Sequence, residues 1–385
     1  MSGNEENHKE QLPRRWVGCP LEADYFGDER KSSKADRKRA SAKDRSQYKK
    51  TDQRKQAKQP QKEVLNLESL ERGRVLSIAS QGIIVDANGE LLSCTLRGIL
   101  KKDKTLMKNL VVVGDFVLFS RSNQGEGMIA QVEPRRTVLS RAENLSRRKE
   151  QLIAANIDQV IITVSVVSPE LKFPLIDRYI IATQKGGMAP VIVVNKIDLL
   201  KAPGQDPVIQ ERDKEIYGEI VKAYKAVDIP VIAVSAETGE GMDLLKQAMK
   251  DKSSVFSGQS GVGKSSLINA VTGGTLRTGD MVGKTNKGSH TTTTAHLVPL
   301  EFGGWCIDTP GIKSFGVWDL DKDEIEQYFP EIFACGHDCR FPDCAHLHEI
   351  GCAVMKAVES REISPLRYAS YQMLLQSVSE DHHRR

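Results

Sequence analysis

One stretch constrains the fold of this chain more than any other. Residues 255–266 read Val-Phe-Ser-Gly-Gln-Ser-Gly-Val-Gly-Lys-Ser-Ser, and from Gly258 every position satisfies G-x-x-x-x-G-K-[ST]. Such a loop wraps phosphates only between a strand and a helix. The apolar pair Val255-Phe256 precedes it and the apolar-periodic run Ser266 to Val271 follows. The sequence therefore predicts a phosphate cradle built from Gly258, Gln259, Ser260, Gly261, Val262, Gly263, Lys264, Ser265 and Ser266. Its glycines turn successive N–H groups inward, towards the positive end of the following helix. Lys264 is the expected partner of the β- and γ-phosphates, and the Ser265 hydroxyl the expected ligand of Mg²⁺.

The motifs around the loop stand in an unusual order. Asn195-Lys196-Ile197-Asp198 ends the apolar strand Val191 to Val194, upstream of the loop. Asp198 can accept two hydrogen bonds from guanine N1–H and the N2 amino group, which adenine cannot offer. Ser235-Ala236, after the apolar run 230–234, suits the loop that supports the base. Downstream come His290-Thr291-Thr292-Thr293-Thr294 and Asp308-Thr309-Pro310-Gly311. The first can supply a threonine, Thr292 or Thr293, to Mg²⁺. The second supplies a water-bridged carboxylate, Asp308, and a γ-phosphate-sensing N–H, that of Gly311. Base reader, base support, phosphate loop and two switches in that order predict a circularly permuted GTPase domain. Permutation is tolerated where the old termini lie close together.

Strands alternate with helices through this region. Residues 156–164 read as a buried parallel strand, residues 174–186 and 208–227 as helices, and 239–250 as a helix with Met242, Leu244, Leu245 and Met249 on its apolar face. The β-α-β-α-β alternation predicts a doubly wound sheet that binds its ligand at the carboxyl ends of the strands. Residues 272–298, rich in Gly, Thr and Lys, read as a first switch. The second switch runs from Asp308 to Phe315.

Residues 70–138 read as all-β. Short strands are expected at Arg74–Ile78, Gly82–Asp86, Leu91–Leu96, Val111–Val113, Phe116–Phe119 and Met128–Val132, with Asn88-Gly89 as a tight hairpin turn. About five strands in this length fit a small barrel of the oligonucleotide-binding (OB) type. Basic residues Arg97, Lys101, Lys102, Lys104 and Lys108 favour nucleic acid as its ligand. Ahead of the barrel, Arg30 to Lys62 holds fourteen Lys/Arg against three Asp, a local net charge of +11 in a chain whose total is +4. A segment so basic and so poor in aliphatic residues reads as a disordered arm able to release counterions from a polyanion.

Seven cysteines are present, and four of them fall in one C-terminal segment with histidines. With no secretory signal at the N-terminus, this usage points to metal rather than disulfides. Cys339-x₄-Cys344-x-His346-x₅-Cys352 offers a closed tetrahedral Cys₃His set for one structural zinc, with Cys335, His337 and His348 as spare donors. Residues 352–360 read as a helix. Ser364-Pro365 starts another, with Leu366, Ala369, Met373, Leu374 and Val378 as its apolar stripe. No apolar run approaches the ~18–20 residues needed to cross a bilayer.

The expected architecture is multidomain: a basic tail (1–62), an OB-like barrel (63–138), a circularly permuted P-loop GTPase domain of α/β class (139–316) and a helical zinc-binding module (317–385). With these parts in this order, the chain resembles the RsgA (YjeQ) family of bacterial small ribosomal subunit biogenesis GTPases over roughly residues 70–376. The resemblance implies GTP hydrolysis stimulated by the small ribosomal subunit, contact with its rRNA, a zinc site and cytoplasmic location. A monomer is expected, cycling between GTP and GDP and touching no membrane. Where many GTPases carry a water-orienting Gln after the Asp-x-x-Gly motif, this chain has Ile312. The family pattern offers His290 instead, so the expected catalytic set is His290, Lys264 and Thr292. Two other readings stay open: an RNA-binding protein in which GTP is structural, and a GTPase of the large subunit or of tRNA.

Overall fold

The computed structural model of the chain describes residues 70–79, 82–96, 110–121, 126–143, 146–204, 206–274, 295–308 and 322–383. The basic tail lies outside them, as do Arg97 and the neighbouring lysines.

Five strands come first: β1 (Glu71–Ala79), β2 (Gly82–Ala87), β3 (Glu90–Leu96), β4 (Phe116–Arg121) and β5 (Glu126–Val132). Their neighbour order is β1-β2-β3-β5-β4, and β4 pairs back onto β1, so the barrel closes. Alternation drives this. Val75, Ile83, Val85, Leu92, Cys94, Val117, Phe119 and Ile129 point inward and are buried, while their neighbours face out. The β2–β3 turn is the expected one: Asn88 and Gly89 both have positive φ, and the Gly89 N–H donates to Asp86 Oδ1 at 2.8 Å.

The run Val111–Val113 is not a strand. Its backbone is taken up by a buried turn in which Val112 N–H donates to Asp115 Oδ2 and Gly114 N–H to the Val75 carbonyl. Val113 makes only an isolated bridge to Ala154, and Val112 packs on Leu152 and Ala155. Those partners belong to a hairpin the sequence did not announce, β6 (Val138–Glu143) with β7 (Ser146–Ala155), against which the turn packs. The charged run Ser-Arg-Arg-Lys-Glu-Gln in β7 hides its strand character.

The α/β part follows as β8 (Gln159–Ser165), α1 (Phe173–Lys185), β9 (Ala189–Asn195), α2 (Pro207–Lys225), β10 (Val231–Ala233), α3 (Met242–Met249), β11 (Ser253–Ser257), α4 (Lys264–Val271), β12 (His296–Pro299) and β13 (Trp305–Asp308). The sheet order is β10-β9-β8-β11-β13-β12, parallel from β10 to β13 and antiparallel at β12. Strand β8 is buried at all seven positions, as a central parallel strand must be. Two details differ from expectation. Leu244 on α3 is 59% exposed, while Met242, Leu245 and Met249 form the buried face. The end of the expected first switch, His296 to Val298, is strand, because Leu297 is buried and β12 pairs with β13. Strand β12 also bridges β1 at His296 and Ser77, making the barrel and the α/β sheet continuous.

The C-terminal part is helical: α5 (Lys322–Ile325), a 3₁₀ turn (Glu326–Tyr328), α6 (Pro330–Gly336), α7 (Ala353–Glu359) and α8 (Pro365–His383). Its core of Ile325, Phe329, Ile332, Val354, Ile363, Tyr371, Leu374 and Leu375 takes in Ile181 from α1. The expected stripe on α8 is shifted by one position. Arg367, Ser370, Tyr371, Leu374 and Leu375 are buried, and Leu366, Ala369 and Met373 are only partly so. The buried face includes a polar residue, Arg367, so the apolar stripe in the sequence runs one position off it.

Candidate nucleotide site and metal centre

Strand β11 delivers the loop 258–263 between β8 and β13, and α4 begins at Lys264. Gly258 has φ +140°, and a Cβ there would lie 2.1 Å from the Thr163 carbonyl oxygen of β8. Gly263 has φ +94°, and its Cβ would lie 2.3 Å from Asn195 Nδ2. Only glycine lets the loop hug the sheet at both points. Lys264 Nζ donates to the Gly258 and Gln259 carbonyls at 2.7 and 2.6 Å, curling the ammonium over the concave side of the loop. Ser260, Ser265 and Ser266 are exposed there.

Asn195 closes the base side. It is 2% exposed; its Nδ2 donates to the Val262 carbonyl at 2.8 Å, and its Oδ1 accepts from Ala236 N–H at 3.2 Å. One amide thus ties the base-reading loop, the supporting loop and the phosphate loop together. Lys196, with φ +64°, sends Nζ to the Gly261 and Ser168 carbonyls at 2.7 and 2.9 Å. Asp198 is held by Ser235, whose hydroxyl donates to Oδ1 at 2.5 Å and accepts Thr238 N–H at 3.1 Å. That leaves carboxylate acceptor capacity for a base edge.

Residues far apart in sequence therefore converge at the carboxyl ends of β8, β9, β10 and β11. Asp308 ends β13 on the same side of the sheet. His290, Thr292, Thr293, Gly311 and Ile312 lie outside the described residues. Sequence reading missed the loop after β8: Ser168 anchors Lys196, and Pro169 packs 3.7 Å from where a Gly261 Cβ would stand. Nothing in its composition marks it, because its contribution is a carbonyl.

The cysteine cluster is assembled as the spacing predicted. The donor atoms of Cys339, Cys344, His346 and Cys352 all lie within 4.8 Å of one another. Cys339 Sγ and Cys352 Sγ are 3.8 Å apart, and each is 3.5 Å from His346 Nδ1. A tetrahedron with zinc–sulfur bonds of about 2.3 Å and zinc–nitrogen bonds of about 2.0–2.1 Å has edges of about 3.5–3.8 Å, so the set fits zinc. Burial pushes the Cys344 thiol up to about 12, so metal binding there must displace a proton. Glu349 shapes the loop by accepting the N–H groups of Ala345, Leu347 and His348 at 3.0, 2.8 and 3.0 Å. Burial opposes its ionisation, but these backbone donors hold its carboxyl at about 2.

Comparison with known proteins agrees with this geometry. The family model for the RsgA GTPase domain matches residues 132–318, and that for the RsgA N-terminal domain matches residues 72–129. A small ribosomal subunit biogenesis GTPase RsgA from Chlorobaculum parvum is 42% identical over 281 residues, covering 71% of this chain and 86% of that protein. One from Bacteroides fragilis (strain YCH46) is 36% identical over 299 residues, covering 77% and 93%. Among solved structures, YjeQ from Thermotoga maritima aligns with a TM-score of 0.63 at 32% identity, covering 80% of this chain and 98% of that one. YloQ, described as a circularly permuted GTPase, aligns with a TM-score of 0.62 at 26% identity, covering 82% and 98%.

Proposed function

This chain belongs to the RsgA GTPase family, and we propose that it matures the small ribosomal subunit, binding rRNA in its GTP form and leaving on hydrolysis. The observation that carries this reading is Asn195, which joins the base-reading, base-supporting and phosphate loops of a permuted GTPase in one hydrogen-bonded unit. Its relatives bear the name of small ribosomal subunit biogenesis factors.

In the proposed site Asp198 reads guanine, with Asn195, Lys196, Ser235 and Ala236 framing the base. Gly258 to Ser266 cradle the phosphates. GTPases of this family work with Mg²⁺, which neutralises charge on the β- and γ-phosphates. Ser265 and Thr292 are the proposed ligands, with Asp308 acting through water. Lys264 stabilises the charge that develops as water attacks the γ-phosphate in line. Gly311 senses that phosphate, and His290 orients the water in place of the absent glutamine. Cys339, Cys344, His346 and Cys352 hold one structural zinc, which orders the loop between α6 and α7.

The basic tail 1–62, the barrel and the zinc module are the three proposed RNA contacts. Residues 63–138, 139–316 and 317–385 are the proposed limits of the folded parts. No helix among the described residues is long and apolar enough to cross a membrane. A cytoplasmic monomer is part of the proposal. The test is sedimentation with purified small and large ribosomal subunits in the presence of a non-hydrolysable GTP analogue or GDP. Tight binding to the small subunit with the analogue and weak binding with GDP supports the reading. Equal binding in both states removes the release step and favours a structural nucleotide.

A further inference from the structure

His346 is the one ligand of the proposed metal set with two faces. Its Nδ1 is turned to the thiols, 3.5 Å from both Cys339 and Cys352. Its Nε2 points the other way and meets Glu326 Oε1 at 3.3 Å. The ring is 2% exposed, so water cannot easily replace that partner. A metal on Nδ1 requires the proton on Nε2, and an N–H there donates to the carboxylate.

The space for this contact is built in. Gly336, the last residue of α6, has an ordinary negative φ, so backbone strain does not call for glycine. A Cβ there would stand 2.7 Å from Glu326 Oε1, 3.2 Å from His346 Nε2 and 3.3 Å from His346 Cε1. The backbone of the ligand is fixed as well. His346 has φ +59°, an uncommon setting for a residue with a side chain, and its carbonyl accepts the Tyr368 hydroxyl of α8 at 2.6 Å.

We propose that Glu326 is the positioning residue of the metal centre: it accepts the His346 Nε2 proton, fixes the ring so that Nδ1 is the donor, and needs the bare backbone of Gly336 to reach it. Ligating histidines commonly depend on such a carboxylate for orientation and basicity. Glu326 does not come from the loop that carries the ligands. It lies in the 3₁₀ turn after α5, on the chain that follows Asp308, so a bound metal grips that segment through His346. Sequence spacing could not show this, because Glu326 is thirteen residues ahead of the first ligand, Cys339.

This inference rests on the zinc reading, and the experiment separates the two. Zinc content of the purified full chain is measured first, then zinc affinity by competition with a chromogenic chelator. Glu326→Ala is expected to bind zinc about 10- to 100-fold more weakly. Gly336→Ala, which displaces the carboxylate, is expected to reproduce that loss. Glu326→Gln keeps an acceptor oxygen and is expected to retain most of the affinity. Wild-type protein without stoichiometric zinc would overturn the metal reading itself. Wild-type protein with zinc and both alanine variants of unchanged affinity would overturn the role of Glu326 alone. Long-range ¹⁵N–¹H correlations of histidine-labelled wild-type protein need no variant to fold. They are expected to show His346 metal-bound at Nδ1 and protonated at Nε2, and metal on Nε2 would overturn the proposal.

Discussion

Arg367 of α8 donates to Asp177 of α1 across 190 residues of sequence, and both side chains are buried. The same guanidinium reaches Glu331 of α6 through Nε at 2.7 Å and Nη2 at 3.1 Å. It lies over the rings of Phe329 and Tyr224, 4.3 and 5.6 Å from their centroids. Burial disfavours the Arg367 charge, but the two carboxylates outweigh it and hold the pKa above its ordinary value. The cluster joins the C-terminal helices to the nucleotide-binding part where solvent cannot screen it, beside the apolar contact that Ile181 of α1 makes with the same core.

Breaking that pair should therefore cost more than any surface contact in the molecule. Arg367→Met alone is expected to lose about 3–5 kcal/mol of stability, because it leaves the buried Asp177 carboxylate without its guanidinium partner. Asp177→Asn, which leaves Arg367 paired with Glu331, should lose less. The double variant should lose clearly less than the sum of the two. Urea unfolding in a double-mutant cycle measures this; strictly additive losses would show that the pair does not interact.

Ser235 and Asp198 give a prediction about base recognition. Ser235→Ala removes the 2.5 Å donor that orients Asp198 and strips Thr238 N–H of its acceptor. A hydrogen bond to a charged group contributes about 1.5–3 kcal/mol, so GTP affinity should fall roughly 10- to 100-fold. Asp198→Asn replaces an acceptor by a donor. It should transfer preference from guanine to xanthine nucleotides, as titration with GDP and XDP would reveal.

Two glycines of the phosphate loop should respond differently to alanine. At Gly263 the added Cβ meets Asn195 Nδ2 at 2.3 Å, whereas at Gly261 nothing lies nearer than Pro169 Cδ at 3.7 Å. Gly263→Ala combines left-handed strain of about 1–2 kcal/mol with loss of a hydrogen bond of about 1 kcal/mol. Nucleotide affinity should fall roughly 30- to 150-fold. Gly261→Ala should show the strain alone, a smaller loss in the same titration.

Glu349 sets a pH dependence. Its folded-state pKa is depressed to about 2, so the stabilisation it gives is complete above the ordinary glutamate value near 4.5. It is lost as pH falls from about 4.5 towards about 2. The stability penalty of Glu349→Gln should thus be constant from pH 7 to about 5 and shrink below 4.5. Unfolding curves of both proteins across that range test the sign; a penalty that grew on acidification would contradict it.

The nucleotide site was legible because each of its parts is a short word with its own chemistry. Gly258 to Ser266, Asn195 to Asp198 and Ser235-Ala236 each announce a loop, and the strands before them announce where the loops meet. The Cys₃His spacing was legible for the same reason. Other features escaped because they depend on partners remote in sequence. Ser168 contributes only a carbonyl to Lys196. Arg367 occupies a buried position that periodicity assigns to an apolar residue. The β6–β7 hairpin carries charges where a strand signal needs β-branched residues. Val111–Val113 has the composition of a strand, but Gly114 and Asp115 turn the chain before it can pair.

In the proposed cycle the small ribosomal subunit triggers hydrolysis in this permuted site. The decisive measurement is GTP turnover at fixed salt, alone and with purified small or large subunits. His290→Ala should lower the stimulated rate about 100-fold or more with GTP affinity nearly intact, the size expected for loss of a group that positions the attacking water. For the wild-type protein, a rise of tenfold or more with the small subunit only is expected, equal to about 1.4 kcal/mol or more off the barrier. No rise with either subunit would rule out the proposed cycle, and a rise with the large subunit alone would assign the chain a different target.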